Sequence, residues 1–266
     1  MKAPAHPTRP LIQRIAVIFS VILQIGATFL PQLGLGEPIG NRSDSVRTLI
    51  TPSGWAFAIW GPLFLGSAVF ALWQALPAQK CNALLDRIAW PAAIALAAQG
   101  VWAIYTQFAN LTAISAIIIL VSLGGLLLTL RALVKTPSLS GQERWLTALV
   151  LSALAAWLTA ASIVNISASL VYHGVFANAG QGGEYPIVTA AIIIVGGIIA
   201  SAAVYRTRGN PWFAVVFCWA LLAIALRGGQ EADAIAVACA VSAAAVVVAA
   251  IAGLAKAENR RHWLGF

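Results

Sequence analysis

The sequence predicts an all-α fold, a polytopic membrane helical bundle of about eight transmembrane helices. Composition is the first reason: 61% of the residues are hydrophobic and only 9% are charged, a balance that a soluble domain of 266 residues does not tolerate. The second reason is the length of the apolar stretches, which reach the roughly 20 residues that a helix needs to cross a bilayer. The third is the placement of the basic residues.

Segments rich in Lys and Arg alternate along the chain with segments that have few, as they do in membrane proteins. We place the spans near residues 12–31, 54–76, 88–108, 111–130, 145–170, 185–205, 211–226 and 233–255. With the N-terminus inside, 13 of the 16 Lys and Arg residues fall in inner segments, and the outer ones are Arg42, Arg47 and Arg227. Short cytoplasmic loops carry such an excess, so the basic charge indicates topology and not nucleic-acid binding. We expect an integral protein of a bacterial inner membrane with both termini cytoplasmic.

Residues 32–50 form the longest predicted outer loop, and we favour a lid over a slack connection because the loop leads into an aromatic stretch. Ser43, Asp44 or Ser45 is a candidate cap for a short helix in this loop.

An aromatic stretch follows at the start of the second span. Pro52 and Gly54 favour a helix start there. Trp60 and Phe64 are four residues apart and share one helix face, with Phe57 on the same side. Pro62 predicts a kink in this helix. The rings fit either the wall of a site for a flat ligand or an aromatic belt at the membrane interface.

Amide side chains mark two further spans. We expect the third span to open at Trp90-Pro91, and within it Gln99 lies three residues before Trp102 and shares its face. A buried Gln needs a partner, which fits a helix–helix hydrogen bond or a ligand-facing amide. On the fifth span, which Ser140 or Gly141 begins, Trp157 and Asn165 lie about two turns apart on one face.

The last three spans differ in composition. They are rich in Ala, Val, Ile and Gly, which suits tight helix packing better than a roomy pocket. The three Cys residues are widely spaced and the His residues lie outside the spans, so the pattern predicts no metal site and no catalytic set.

Three motifs occur in order along the first five spans: Pro52 and Trp55 with Trp60–Phe64, then Gln99 with Trp102, then Trp157, Ala161 and Asn165. Together they resemble the TspO/MBR family, the tryptophan-rich sensory proteins that include the translocator protein. The resemblance implies a five-helix bundle with an aromatic pocket for tetrapyrroles and sterols. We therefore expect a TspO-like bundle at residues 1–170 and a three-helix transmembrane extension at 171–266.

The resemblance also implies a ligand and its site. The ligand would be a flat tetrapyrrole, a porphyrin or haem, held by stacking, and no cofactor would be required. The sterol pattern needs a basic residue after Tyr172, which is absent, so cholesterol is not expected. The ligand-binding residues that the resemblance implies are Trp55, Trp60, Phe64, Gln99, Trp102, Trp157 and Asn165.

Some family members promote light-dependent porphyrin breakdown through residues that match Trp60 and Phe64, so enzymatic activity stays open, with a non-enzymatic role favoured. The expected partners are the lipid bilayer, a tetrapyrrole-like small molecule, and a second copy or a larger membrane complex.

Two other functions remain open. One is an uncoupled small-molecule transporter; because all eight acidic residues fall in loops or at helix ends, coupling by a buried carboxylate is not expected. The other is an accessory subunit of a larger pigment–protein complex.

Overall fold

The structure is a computed structural model, and it describes residues 8–175 and 185–266. Every regular element in these ranges is helical. The α-helices are α1 (Leu11–Gly26), α2 (Ile39–Ser45), α3 (Trp60–Ala75), α4 (Ala83–Ala109), α5 (Ala113–Lys135), α6 (Gly141–Glu143), α7 (Leu149–Tyr172), α8 (Pro186–Arg206), α9 (Pro211–Ala225), α10 (Asp233–Leu254) and α11 (Ala257–Trp263). Eight helical segments are long and apolar enough to cross a bilayer, which confirms the predicted polytopic bundle.

Helix caps explain two of the boundaries. The Asn82 side chain accepts a hydrogen bond from the Leu85 N–H at 2.9 Å, so α4 begins at Ala83. The prediction that this span opens at Trp90-Pro91 was therefore wrong, and Pro91 lies inside the helix. At the fifth span, Ser140 and Glu143 form a capping box, which confirms the predicted start.

The aromatic stretch is not one continuous α-helix. Gly54–Ile59 forms a 3-10 helix, and α3 begins only at Trp60. Pro62 thus lies in the first turn of α3, where its missing N–H would have had no partner within the helix. The kink at Pro62 stays a prediction.

The long outer loop contains α2. The predicted capping role of Ser43, Asp44 or Ser45 was wrong, because these residues lie inside α2, and Pro38 precedes it without a side-chain cap.

Helix α7 lies at the centre of the bundle. It packs against α3, α5 and α9, and most of its residues are buried. Helix α4 packs between α1 and α5, while α8 pairs with α10. The first five spans thus meet the last three mainly through α7 and α9. The division of the chain at residue 170 stays a prediction.

Small residues allow the helices to approach closely. A Cβ atom on Gly125 of α5 would lie 2.6 Å from the Pro91 carbonyl oxygen of α4. A Cβ atom on Gly197 of α8 would lie 2.5 Å from the Ser242 Cβ of α10. Both distances are too short for a side chain, so these crossings require glycine. The tight packing predicted for the last spans is confirmed at the second crossing.

Helix α11 docks beneath the bundle at the end that carries most of the basic residues. The Trp263 indole N–H donates to the Thr207 carbonyl oxygen at 2.9 Å, and the Arg144 guanidinium donates to the His262 carbonyl at 3.1 Å. The His262 ring is 3% exposed, and neither of its nitrogens has a partner among the described residues. Burial first, and then the charges of Arg208 and Arg144, lower the pKa of His262 to about 4.

We expect this histidine to make stability depend on pH. The unfolded chain takes up a proton near the ordinary His pKa of about 6.5, whereas the folded protein resists protonation until about pH 4. The stabilisation is therefore complete above about pH 6.5 and is lost as the pH falls towards 4. His262→Leu should flatten the fall in melting temperature between pH 7 and pH 4.5, and His173→Gln, at an exposed ring, should not. Equal slopes in wild type and His262→Leu would contradict this account.

Candidate functional site

A cavity lies between the helices of the first five spans. Its walls come from α1, α3, α4, α5, α7 and the adjoining 3-10 turns, and they are apolar apart from two amides, a threonine and the indole nitrogens. Its lining residues are Gln24, Thr28, Phe57, Trp60, Leu63, Phe64, Gln99, Trp102, Ala103, Ile119, Leu154, Trp157, Leu158 and Ala161.

The aromatic rings on one wall are in mutual contact. The ring centroids of Trp60 and Phe64 are 5.8 Å apart, as their spacing of four residues on one helix face predicts. Phe57 packs edge-on against Trp60 at 5.4 Å and against Trp157 at 6.3 Å. These are the offset and edge geometries that aromatic pairs prefer. Rings from the second and fifth spans therefore form one continuous wall.

An amide pair faces this wall. The Gln24 and Gln99 side chains share a hydrogen bond of 2.8 Å, with Gln24 assigned as the donor. The Gln24 carbonyl oxygen and the Gln99 amide nitrogen have no partner among the described residues. Turning both amides over would exchange the roles, but one acceptor and one donor would still be left without a partner. The helix–helix hydrogen bond and the ligand-facing amide, open alternatives from the sequence, are therefore compatible.

A second cavity adjoins the first and reaches α9. Phe57, Trp102, Trp157 and Ala161 line both cavities and so form the partition between them. The remaining walls come from the outer loop, the α4–α5 turn, α7 and α9. The residues that line only the second cavity are Ile39, Ser43, Pro52, Leu111, Ala160, Val164, Asn165, Ala220 and Ile224.

Two polar groups at the second cavity have unused hydrogen-bonding capacity. The Asn165 side chain is 2% exposed; its carbonyl oxygen lies 2.9 Å from the Ser115 hydroxyl, and its amide nitrogen has no partner. The Trp102 indole N–H also has no partner among the described residues. A buried donor without an acceptor costs roughly 1–3 kcal/mol, which a ligand with a suitable acceptor would recover.

Both cavities are small as they stand. Their volumes are about 60 and 50 Å³. A single water needs roughly 10–15 Å³ on this measure, whereas sites for drug-sized ligands occupy roughly 300–1,000 Å³. A macrocycle therefore requires the partition rings to move and join the two cavities. Phe57 is the ring best placed to do so, because it lies on a 3-10 turn, whose hydrogen bonds are weaker than those of an α-helix.

Neither cavity has a charged residue among its described lining residues. The three outer arginines lie nearby, but each has a carboxylate partner: Arg42 with Glu37, Arg47 with Glu231, and Arg227 with Asp44. Stacking and neutral hydrogen bonds are therefore the interactions that the two cavities offer.

The outer loop covers the second cavity. Ile39 and Ser43 of α2 form part of its lining. The loop is joined to the α9–α10 turn by the Arg227–Asp44 pair at 2.7 Å, and the same guanidinium donates to the Pro52 carbonyl at 3.1 Å. A lid position for residues 32–50 agrees with this geometry.

The structure brings most of the predicted site residues together. Trp60, Phe64 and Gln99 line the first cavity, Asn165 lines the second, and Trp102 and Trp157 line both.

Trp55 lies elsewhere. Its ring is 42% exposed and packs edge-on against Trp219 of α9, with centroids 4.9 Å apart. Its assignment to the pocket is corrected, because the 3-10 turn carries Trp55 away from Phe57 and towards α9.

The prediction missed several lining residues. Gln24 had the same signal as Gln99, an amide in the middle of an apolar span, and could have been found. Phe57 was placed on the correct face but left out of the site. Ala220 and Ile224 are ordinary apolar residues that carry no signal in the sequence.

Comparison with protein-family models gives a match to the model described as TSPO-like protein over residues 11–252. The match extends beyond residues 12–170, over which the motifs carry the resemblance, and reaches into α10. Searches of the curated proteins and of the solved structures find no match.

The hydrogen bond between Gln24 and Gln99 predicts that a single substitution lowers stability more than the double substitution does. Gln24→Leu alone should lower the free energy of unfolding by about 1 kcal/mol or more, because it leaves the Gln99 amide unpaired in an apolar setting. Gln24→Leu with Gln99→Leu should recover most of that loss. The measurement is a double-mutant cycle from unfolding in mixed detergent micelles. Strictly additive losses would show that the two amides are not coupled.

The lid contacts predict a local change in hydrogen exchange. Arg227→Gln removes an exposed ion pair, which is worth about 0–1 kcal/mol, and a hydrogen bond to the Pro52 carbonyl. Backbone amides of residues 36–52 should then exchange severalfold faster, while those of α7 stay unchanged. Lys80→Gln, a cation at the other end of the bundle, is the control. Unchanged exchange in residues 36–52 would show that the pair does not hold the lid.

Proposed function

The chain belongs to the family of TSPO-like proteins, and from that premise we propose that it is a membrane-embedded binding protein for a flat, hydrophobic ligand. The site consists of the two adjoining cavities between the first five spans and α9. Its role would be regulatory or related to ligand transport, in a bacterial inner membrane with both termini cytoplasmic.

The convergence of rings and unpaired amides carries this proposal. Phe57, Trp60, Trp102 and Trp157 come from three separate spans and surround one pair of cavities. An aromatic belt at the membrane interface would point its rings outward to lipid headgroups, and it would not enclose space. The amides add polar groups at defined positions, as ligand sites do.

The ligand that we propose is a tetrapyrrole, a porphyrin or haem. Its flat face would stack on Trp60 and Phe64, and its polar edges would meet the amides of Gln99 and Asn165. The partition formed by Phe57, Trp102 and Trp157 would open to admit it. Carboxylate side chains of such a ligand would extend towards the outer arginines, since the cavities themselves offer no cation.

Quenching of Trp fluorescence by protoporphyrin IX tests the proposal. We expect saturable quenching at one equivalent in detergent-purified protein. Trp60→Ala should weaken binding by roughly tenfold or more, because truncating a central aromatic anchor typically costs that much. Trp90→Ala is the matched control, since that indole is 46% exposed on α4 and lines neither cavity.

Three outcomes would contradict the proposal. Absence of saturable quenching would remove the site. Equal weakening in Trp60→Ala and Trp90→Ala would show that the porphyrin partitions into the detergent–protein boundary. Net uptake of porphyrin into proteoliposomes, without a saturable high-affinity site, would favour the uncoupled transporter.

A further inference from the structure

A polar groove lies at the opposite end of the bundle from the lid. It has a volume of about 550 Å³, several times that of either internal cavity. It is formed where the α8–α9 turn, the end of α10 and the start of α11 meet the loop before α6. Its lining residues are Pro137, Tyr205, Arg208, Ala252, Gly253, Lys256, Glu258 and Asn259.

Two basic side chains that line this groove have no partner among the described residues. Among the described residues, the side chains of Arg208 and Lys256 make neither an ion pair nor a hydrogen bond, in contrast to the three outer arginines. Arg208 is half-buried, so its charge is less screened than that of a fully exposed side chain. Glu258 is the single acid among the described lining residues, and the groove keeps a net positive charge.

The groove has a rigid frame. The α8–α9 turn and the end of α10 are in backbone contact, since a Cβ atom on Gly209 would lie 2.8 Å from the Gly253 Cα. The Asn259 amide donates to the Gly253 carbonyl at 2.8 Å and ties α11 to α10. On α11, Trp263 is fixed to Thr207 at 2.9 Å. Arg208 and Lys256 therefore lie on elements whose relative positions are fixed by these contacts.

The groove begins at the ends of two apolar helices, where lipid headgroups are expected. Helices α8 and α10 are both membrane spans, and the groove begins where they end. Tyr205 is 67% exposed there, as is typical of aromatic residues at the interface. One and two turns deeper along α10, Ile251 and Val248 are exposed side chains against which acyl chains would lie.

We propose that this groove binds the headgroup of an anionic phospholipid. Arg208 and Lys256 pair with the phosphodiester, and the acyl chains run along the exposed face of α10. Basic pockets between spans on the cytoplasmic side are suited to such headgroups, and the inner leaflet supplies them. The Glu258 carboxylate repels a second negative charge on the headgroup. The groove therefore takes a phosphodiester with an uncharged substituent, such as phosphatidylglycerol.

Native mass spectrometry of the full-length protein in detergent tests the proposal with phosphatidylglycerol and phosphatidylcholine of identical acyl chains. Each cation near an anionic headgroup contributes roughly fivefold in affinity, so both together account for about thirtyfold. Arg208→Gln with Lys256→Gln should therefore abolish the preference for phosphatidylglycerol. Glu258→Gln should increase that preference, an opposite change that loss of folding would not produce.

Arg206→Gln is the matched control, because Arg206 is an exposed cation two residues away that does not line the groove. It should keep the preference. Should the double variant fail to fold, Lys256→Gln alone, at an exposed position, is expected to lose about fivefold.

Four results would overturn the proposal: equal losses in Arg206→Gln and Arg208→Gln; no preference over phosphatidylcholine; stronger binding of phosphatidylethanolamine; or displacement of the lipid by inorganic phosphate at equal concentration. The last would indicate a site for small anions.

Discussion

The rest of the site depends on the packing of the Trp157 ring. Trp157 is 6% exposed, comes from the most central helix, and lines both cavities. Because α7 packs against α3, α5 and α9, it has little freedom to rotate or slide. Phe57 packs edge-on against this ring, and Trp60 packs against Phe57. The aromatic wall is thus built outward from a fixed indole, and Phe57, which lies next to that indole on a 3-10 turn, is the member most able to move.

Polar groups in an apolar interior constrain the same region. A polar side chain there costs free energy unless a protein group, a water molecule or a ligand supplies its hydrogen-bond partner. Some of these groups are paired within the bundle: the Ser122 hydroxyl donates to the Ala95 carbonyl at 2.7 Å, and the Asn210 amide donates to the Ser152 hydroxyl at 2.8 Å. Among the described residues, buried polar atoms without a partner also occur away from the cavities, for example at Ser67 and Thr147, but four of them, on Gln24, Gln99, Trp102 and Asn165, surround one pair of cavities. Sites where a chain departs from its own packing rules are commonly functional.

The sequence was sufficient for most of the architecture. Long apolar runs and the distribution of Lys and Arg predicted eight spans, and spacings of four and eight residues placed Trp60 with Phe64 and Trp157 with Asn165 on shared faces. It could not place Trp55, because the choice between a 3-10 turn and an α-helix at Gly54–Ile59 depends on contacts with α9. It also could not reveal that α9 closes the second cavity, since Ala220 and Ile224 resemble any lipid-facing residue.

Fluorine NMR of protein labelled with 5-fluorotryptophan, titrated with protoporphyrin IX in nanodiscs, tests whether a porphyrin enters the space between the aromatic rings. The resonances of Trp60, Trp102 and Trp157 should shift along one isotherm and saturate together at one equivalent, while those of Trp55 and Trp90 should stay unchanged. Shifts confined to Trp55 and Trp90, or unsaturated drift of all resonances, would show that the ligand meets only the outer surface of the bundle.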